Sequence, residues 1–197
     1  MSHATRSGVL GLICAALGVD HRDSAGLGRL SSLALTVLVL RQSGRAVDYQ
    51  TIGGGYDRKR ERWSVPRKAD DGVGTTVVTR REYLEGARHG AVLSGDSSQI
   101  HELAGALQDP RWGIWLGRKA CIPASPVCQG VFPTEAEAVN RLLSLAGVPG
   151  AEMVVREVHA FADGDDTILD VPLDFDPANR RFGPRRVSVT KSPPGVE

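Results

Sequence analysis

Cysteine pairs, membrane-length apolar runs and a one-sided charge are all missing from this 197-residue sequence, and each absence removes a class of function. Its three cysteines, Cys14, Cys121 and Cys128, are an odd number. None forms a Cys-x-x-Cys pair or lies near a His at zinc-finger spacing, so no metal site and a reducing cytoplasm are expected. The apolar run from Val9 to Leu17 is shorter than the roughly 20 residues that span a bilayer. The segment before it has no signal-peptide flank or cleavage site, so the expectation is a soluble, cytoplasmic protein without a membrane partner. The triplet Gly53-Gly54-Gly55 lacks the Lys and Ser/Thr that complete a phosphate loop and reads as a hinge. Asp163, Asp165 and Asp166 lack the remaining ligands of a calcium loop and read as a turn. No cofactor is expected, and no internal repeat is present.

The composition is that of an ordinary soluble globular chain, with 41% apolar and 24% charged residues. That length suits one sizeable domain, or a larger one with a small appendage. With 24 Lys plus Arg against 23 Asp plus Glu, net charge says nothing about a polyanionic partner; placement does. Arg58, Lys59, Arg60, Arg62, Arg67 and Lys68 crowd one segment with Glu61 as its single acid, whereas residues 163–176 carry acids and no base.

Periodicity supplies the elements. Val9, Leu12, Ile13, Ala16 and Leu17 recur at helical spacing, with Ser7 placed to cap and Gly18 to end the helix. Residues 33–40 form a continuous β-rich run suited to a buried strand. Residues 48–74, with the glycine triplet and the basic run, suggest a hairpin or arm projecting from the body. Strands are expected at 75–79 and 90–93. A helix capped by Ser97 or Ser98 should carry Ile100, Leu103, Ala104 and Leu107 on one face and close at Asp109-Pro110. Residues 111–121 and the Pro-punctuated stretch after them read as a passage between sub-domains. Thr134 and Glu137 form a capping box for a helix reaching Leu145. Short strands at 153–158, 167–173 and 186–190 follow, with a frayed end.

Four blocks together resemble a known family. They are Thr5-Arg6-Ser7-Gly8-Val9-Leu10-Gly11-Leu12 running to Gly18; Asp48-Tyr49-Gln50-Thr51 before the glycine triplet; Thr79-Arg80-Arg81-Glu82-Tyr83-Leu84; and Trp115 to Cys121 with Gly117-Arg118-Lys119 at its centre, ending at Pro123. In order and spacing they are similar to the CasD subunits of type I-E CRISPR Cascade, within the repeat-associated RNA-binding superfamily. The resemblance implies an α+β fold. A ferredoxin-like (RRM-like) domain would cover residues 1–118, with a protruding β-hairpin thumb inserted at about 48–74, and a small β-rich C-terminal domain would cover 119–197. It also implies an apolar strand and a Gln-Ser-Trp-Gly-like turn ahead of the Arg-Ser-Gly block. The sequence starts just before that block, so a sheet short of its first strand, with an unpaired edge, is expected.

The function implied is that of a non-catalytic subunit that binds the 5′ handle of crRNA and caps the backbone filament. Such a subunit contacts the backbone subunit (CasC family) and the large subunit (CasA family), and its thumb interrupts guide–target pairing, touching target DNA indirectly. Arg6, Ser7 and Gly8 at a helix start can form a phosphate site; the plain alternative is a capping Ser7 and a solvated Arg6. The cations Arg58, Arg60, Arg62 and Lys68 are interleaved with Tyr49, Tyr56 and Trp63, a mixture that suits single-stranded RNA, though a charge run is usually a solvated loop. Gln50 and Thr51 belong to the same block. Arg80, Arg81 and Tyr83 follow a strand, whose alternation sends Arg80 and Arg81 to opposite faces. Trp112 and Trp115 read as packing residues. Arg118 and Lys119 are ligand candidates, with a subunit interface as their rival. A metal-independent endoribonuclease would need Tyr49 or Lys68 converging with His21, His89 or His101 on one phosphate, and no arrangement commits to that. A protein–protein adaptor, its basic arm docked on an acidic neighbour, is the other alternative.

Overall fold

Residues 1–42 and 88–197 form one compact unit and residues 43–87 another. The computed structural model describes residues 3–42, 44–52, 56–57, 61–63, 65–66, 73–74 and 77–191. In chain order the elements are α1 (Arg6–Leu17), α2 (Ser24–Gly28), β1 (Ala34–Arg41), β2 (Gly44–Ile52), β3 (Tyr56–Asp57), β4 (Arg62–Trp63), β5 (Val65–Pro66), β6 (Val73–Gly74), β7 (Val77–Glu85) and β8 (Arg88–Ser94). They continue with α3 (Ser97–Gln108), α4 (Glu135–Ala146), β9 (Met153–Glu157), a 3₁₀ turn at Phe161–Asp163, β10 (Asp166–Asp174) and β11 (Arg181–Lys191). The architecture is α+β. The larger unit holds a five-stranded sheet in the order β10-β11-β9-β1-β8, antiparallel at every pairing.

β1 explains why the sheet forms around it. Its run Leu35-Thr36-Val37-Leu38-Val39-Leu40 is buried on both faces, as an unbroken apolar strand requires. Leu35, Val37 and Val39 pack with Val155, Val187 and Ile168 and with Val9 of α1. Leu38 and Leu40 face the other way, onto Val139, Leu142 and Leu143 of α4. A third cluster joins Leu10, Ile13 and Cys14 of α1 to Leu103 of α3 and to Leu27, Leu30 and Leu33. Strands β9 to β11 lie in the same sheet as β1 and β8. The division expected between residues 118 and 119 therefore does not coincide with any break in the sheet. The separate unit runs over 43–87, wider than the arm expected at 48–74.

Helix ends differ in detail from the sequence reading. Thr5, in extended backbone, caps α1 by accepting from the Gly8 amide, and Ser7 lies inside the helix. Gly18 ends it at φ 74°, a left-handed conformation that glycine takes without a Cβ penalty. Asp96, not a serine, caps α3, accepting from the amides of Ser98 and Gln99. The Ser98 hydroxyl and these amides hold the Asp96 carboxyl below its ordinary range. Thr134 caps α4 through the Glu137 amide, and the Glu137 carboxylate accepts the Thr134 hydroxyl.

A buried polar cluster ties α1 to the sheet. Arg6 is 1% exposed, Asp170 3% and Arg185 5%. The Arg6 amide, at the first turn of α1, donates to Asp170 Oδ2 at 2.7 Å. Arg185 clamps the same carboxylate through Nε at 2.6 Å and Nη2 at 3.0 Å. The Arg6 guanidinium donates to Glu157 at 2.5 Å and to the Ser31 carbonyl at 3.1 Å, and Glu157 also accepts from the Leu35 amide. Removing one partner of a buried pair strands the other charge, at a cost of about 3–5 kcal/mol. Arg185→Met is therefore expected to lose stability on that scale in urea unfolding. The double variant Asp170→Leu, Arg185→Met is expected to recover much of it, because no charge is then left uncompensated.

Candidate nucleic-acid interface

β2 and β7 form an antiparallel ribbon of nine consecutive pairs, from Gly44↔Glu85 to Ile52↔Val77. Strand alternation sorts the side chains. Arg45, Val47, Tyr49 and Thr51 share one face with Leu84, Glu82, Arg80 and Val78, and all eight are exposed. Ala46, Asp48 and Gln50 share the other with Tyr83, Arg81 and Thr79, all half-buried. Tyr49 and Arg80 are direct cross-strand partners, with the guanidinium 5.9 Å from the ring centroid. Cross-strand proximity thus pre-forms a cation and ring pair on an open face. Four large apolar side chains are also exposed there: Val47 at 61%, Tyr49 at 58%, Val78 at 50% and Leu84 at 43%. That density on one two-stranded ribbon marks a surface built for contact.

The ribbon gathers Tyr49, Thr51 and Arg80 from the expected set and turns Gln50 and Tyr83 to its other side; the Gln50 amide bonds the Asp48 carboxylate. Arg62 lies in β4 opposite Asp57. Arg58, Arg60 and Lys68 lie outside the described residues, as does the glycine triplet.

A second cationic feature is the turn from Trp115 to Cys121, within the passage between α3 and α4. The Leu116 amide donates to the Cys121 carbonyl and the Cys121 amide to the Arg118 carbonyl, each at 2.8 Å, with Gly117 at φ 81°. This closure puts Arg118 and Lys119 at an exposed tip, where Lys119 Nζ lies 5.5 Å from the Trp115 ring. The passage is pinned to the end of α1, since the amides of Arg111 and Trp112 donate to the carbonyls of Ala16 and Ala15. Trp112 and Trp115 are 43% and 38% exposed, more open than packing residues would be.

The block at the start of α1 is placed differently from the phosphate site first expected there. Arg6 is buried against Glu157, and the helix start already holds an anion, the Asp170 carboxylate. The positive end of the helix and the guanidinium are both spent within the chain. Ser7 is half-buried with its hydroxyl 3.2 Å from that of Thr5, while Gly8 is exposed. The candidate nuclease histidines sit on separate elements: His21 in the turn after α1, His89 on β8 and His101 on α3, bonded to the Ser97 carbonyl. Burial, with Asp23 nearby, pushes the Cys14 thiol up to about 11, so it stays protonated at neutral pH. No group of His, Cys, Asp and Glu among the described residues can hold a metal ion. Among them, too, no helix is long and apolar enough to cross a membrane. An open groove of about 410 Å³ lies beside Glu135, Val139, Asn140 and Arg156. Its carboxylate is already engaged by the Thr36 hydroxyl and by Arg156.

Sequence reasoning missed the exposed aliphatics of the ribbon, although the alternation of Arg45, Val47, Tyr49 and Thr51 was there to be read. Nothing local in the sequence could have shown that Asp170, 164 residues away, occupies the start of α1.

Comparison with known proteins completes the description. Residues 3–188 match the family model described as CRISPR-associated protein (Cas_Cas5). The CRISPR system Cascade subunit CasD of Escherichia coli (strain K12) is 30% identical over 191 residues, covering 87% of this chain and 79% of the relative. A chain of a solved CRISPR RNA-guided surveillance complex superposes with a TM-score of 0.71 at 29% identity, over 95% of this chain and 78% of that one. A solved Cas protein at 22% identity shares the fold, with a TM-score of 0.61 over 97% of this chain and 82% of that one. The matched span, the CasD relative and the shared fold place this chain in the CRISPR-associated Cas5 family.

Proposed function

We propose that this chain is the non-catalytic subunit of a type I-E Cascade that grips the 5′ handle of crRNA and caps the backbone filament in antiviral defence. In this reading the unit holding the five-stranded sheet is the ferredoxin-like body and the unit 43–87 is its thumb. Its neighbours are a CasC-family backbone subunit and a CasA-family large subunit, with target DNA met through the guide. The likeness to CasD and to a chain of a surveillance complex supports the assembly. The observation that carries RNA contact is the open ribbon face on which Tyr49 and Arg80 stand side by side. An unstacked base can lie on the ring while the guanidinium meets the adjacent phosphate. Arg118 and Lys119, beside Trp115, offer a second contact of the same kind. Arg6 acts through folding in this account.

Gel-shift titration of the purified chain against its own repeat-derived 5′ handle and a scrambled RNA of equal length tests this reading. Preference for the handle is expected, with log affinity falling against log salt by about 0.7 per phosphate neutralised. Tyr49→Ala should weaken binding by about 1–3 kcal/mol, and Arg80→Ala should flatten the salt slope by about one contact. A salt-insensitive complex, or one indifferent to both changes, overturns the reading. Incubation with repeat RNA in EDTA is expected to leave the RNA intact. Specific cleavage that disappears in Tyr49→Phe or Lys68→Ala would instead assign a metal-independent endoribonuclease.

A second reading has an observation of its own. Val47, Val78 and Leu84 are aliphatic and exposed beside Tyr49, which favours a protein partner on the ribbon. As a protein–protein adaptor without direct RNA contact, the chain would hold its partners after RNase treatment and lose them on Arg60→Glu.

A further inference from the structure

β1 is regular against β8 until its last two residues. From Ala34 to Val39 it pairs one to one with Ser94 to His89, and then the register shifts, so that Arg41 stands opposite Arg88. Leu40 is the extra residue of this β-bulge, 5% exposed and held in the cluster with Leu38 and Val92. Had the pairing stayed regular, Arg88 would oppose Leu40. The bulge re-aims one side chain, and the one it brings to Arg88 is a second arginine.

That arrangement has two costs. A bulge disrupts the ladder where it sits, and like charges directly opposite on an antiparallel pair repel. Nothing among the described residues offsets the repulsion. Both arginines are exposed. Arg88 donates through Nη1 to the Ala146 carbonyl at the end of α4, a neutral acceptor, at 3.0 Å. Neither arginine forms an ion pair among the described residues. Glu152, whose amide donates to the Val39 carbonyl, gives its carboxylate to the Gln42 amide at 3.0 Å. Arg6 and Arg185 show the contrast, since each is buried against a carboxylate of this chain.

Two guanidiniums side by side select the kind of anion that would relieve them. Each presents donors in a planar fork that matches phosphate oxygens, and each is charged at any physiological pH. On neighbouring strands, with Cα atoms about 5 Å apart, the pair suits a run of negative charges such as the successive phosphates of one nucleic-acid strand. A single carboxylate would occupy one fork and leave the other cation unmet.

The position in the chain points the same way. The polypeptide leaves the larger unit after Gln42 and re-enters it at Arg88. Arg41 precedes Tyr49 by eight residues and Arg88 follows Arg80 by eight. The pair therefore stands at the root of the two strands that carry the ring and the cation of the ribbon face.

We propose that Arg41 and Arg88 form a clamp for backbone phosphates of the RNA that the ribbon grips. The clamp presupposes the RNA-binding reading and adds to it a sequence-independent contact within the larger unit. Gel-shift titration of the full chain over a range of salt, with the 5′ handle and with a scrambled RNA of equal length, tests it. Arg41→Ala and Arg88→Ala are each expected to flatten the slope of log affinity against log salt by about 0.7, and the double variant by about 1.4 with about tenfold weaker binding. The loss should be the same factor for both RNAs, because phosphate contacts carry no base preference. The urea midpoint of Arg41→Ala should equal or exceed that of the unaltered chain, since the change relieves repulsion. A midpoint that falls along with binding overturns the proposal and assigns the pair to the fold. Handle binding left unchanged by both substitutions overturns the clamp alone. Unchanged RNA affinity with loss of a co-expressed protein subunit also overturns it, assigning the pair to a neighbour's carboxylates. No RNA binding by the unaltered chain overturns the clamp together with the reading beneath it.

Discussion

The Asp170 carboxylate is the constraint on which the larger unit depends. It receives the first-turn amide of α1 on one oxygen and the Arg185 guanidinium on both. A helix start carries unpaired donors and partial positive charge, so an anion placed there satisfies dipole and hydrogen bonds together. Here the anion comes from β10 and its counter-charge from β11. Glu157 of β9 repeats the pattern, joining the Arg6 guanidinium to the Leu35 amide of β1. Such pairs add little net stability over apolar residues of the same size, because each ion is desolvated. Their effect is on choice of arrangement: a helix slipped by one residue, or a strand shifted in register, would leave buried charges unmet.

Among the described residues, the same cluster sets Arg6 and Arg185 apart from the exposed cations. Arg6 and Arg185 are enclosed and neutralised, and they act on the fold. Arg80, Arg118 and Lys119 are exposed, and Arg80 and Lys119 lie beside an aromatic ring within cation–π distance. A net charge of +1 conceals this separation, since the acids that cancel it include Asp170, buried with Arg185, and the half-buried Glu157 beside Arg6. What a polyanion meets is the exposed remainder, so local placement rather than total charge governs the encounter.

Much of the architecture was legible because local signals agreed with it. The unbroken apolar run of β1, the helical spacing in α1, α3 and α4, and the Thr134 cap each have a short-range physical cause and each appear where expected. The cap of α1 was misread by two residues because Thr5 and Ser7 carry the same hydroxyl chemistry. Only the extended backbone at Thr5 separates them. The ribbon residues could be read as a contact surface, but their division between two faces needed the register Tyr49↔Arg80. Arg6 was the least legible. An arginine before a helical run looks the same whether it meets a phosphate or a glutamate, and Glu157 is 151 residues away.

These placements bear on how the two exposed cationic features are held. A contact on the two-stranded ribbon rests on the β2–β7 ladder, in a unit of its own. A contact at the Trp115 to Cys121 turn is different, since that passage is hydrogen-bonded to the last turn of α1 through Arg111 and Trp112. Disturbance at α1 would then reach Arg118 and Lys119 through the backbone, whereas Tyr49 and Arg80 are held by the β2–β7 ladder. Substitution at Asp170 or Glu157 should therefore separate the two cationic features, moving the turn while leaving the ribbon pair in register.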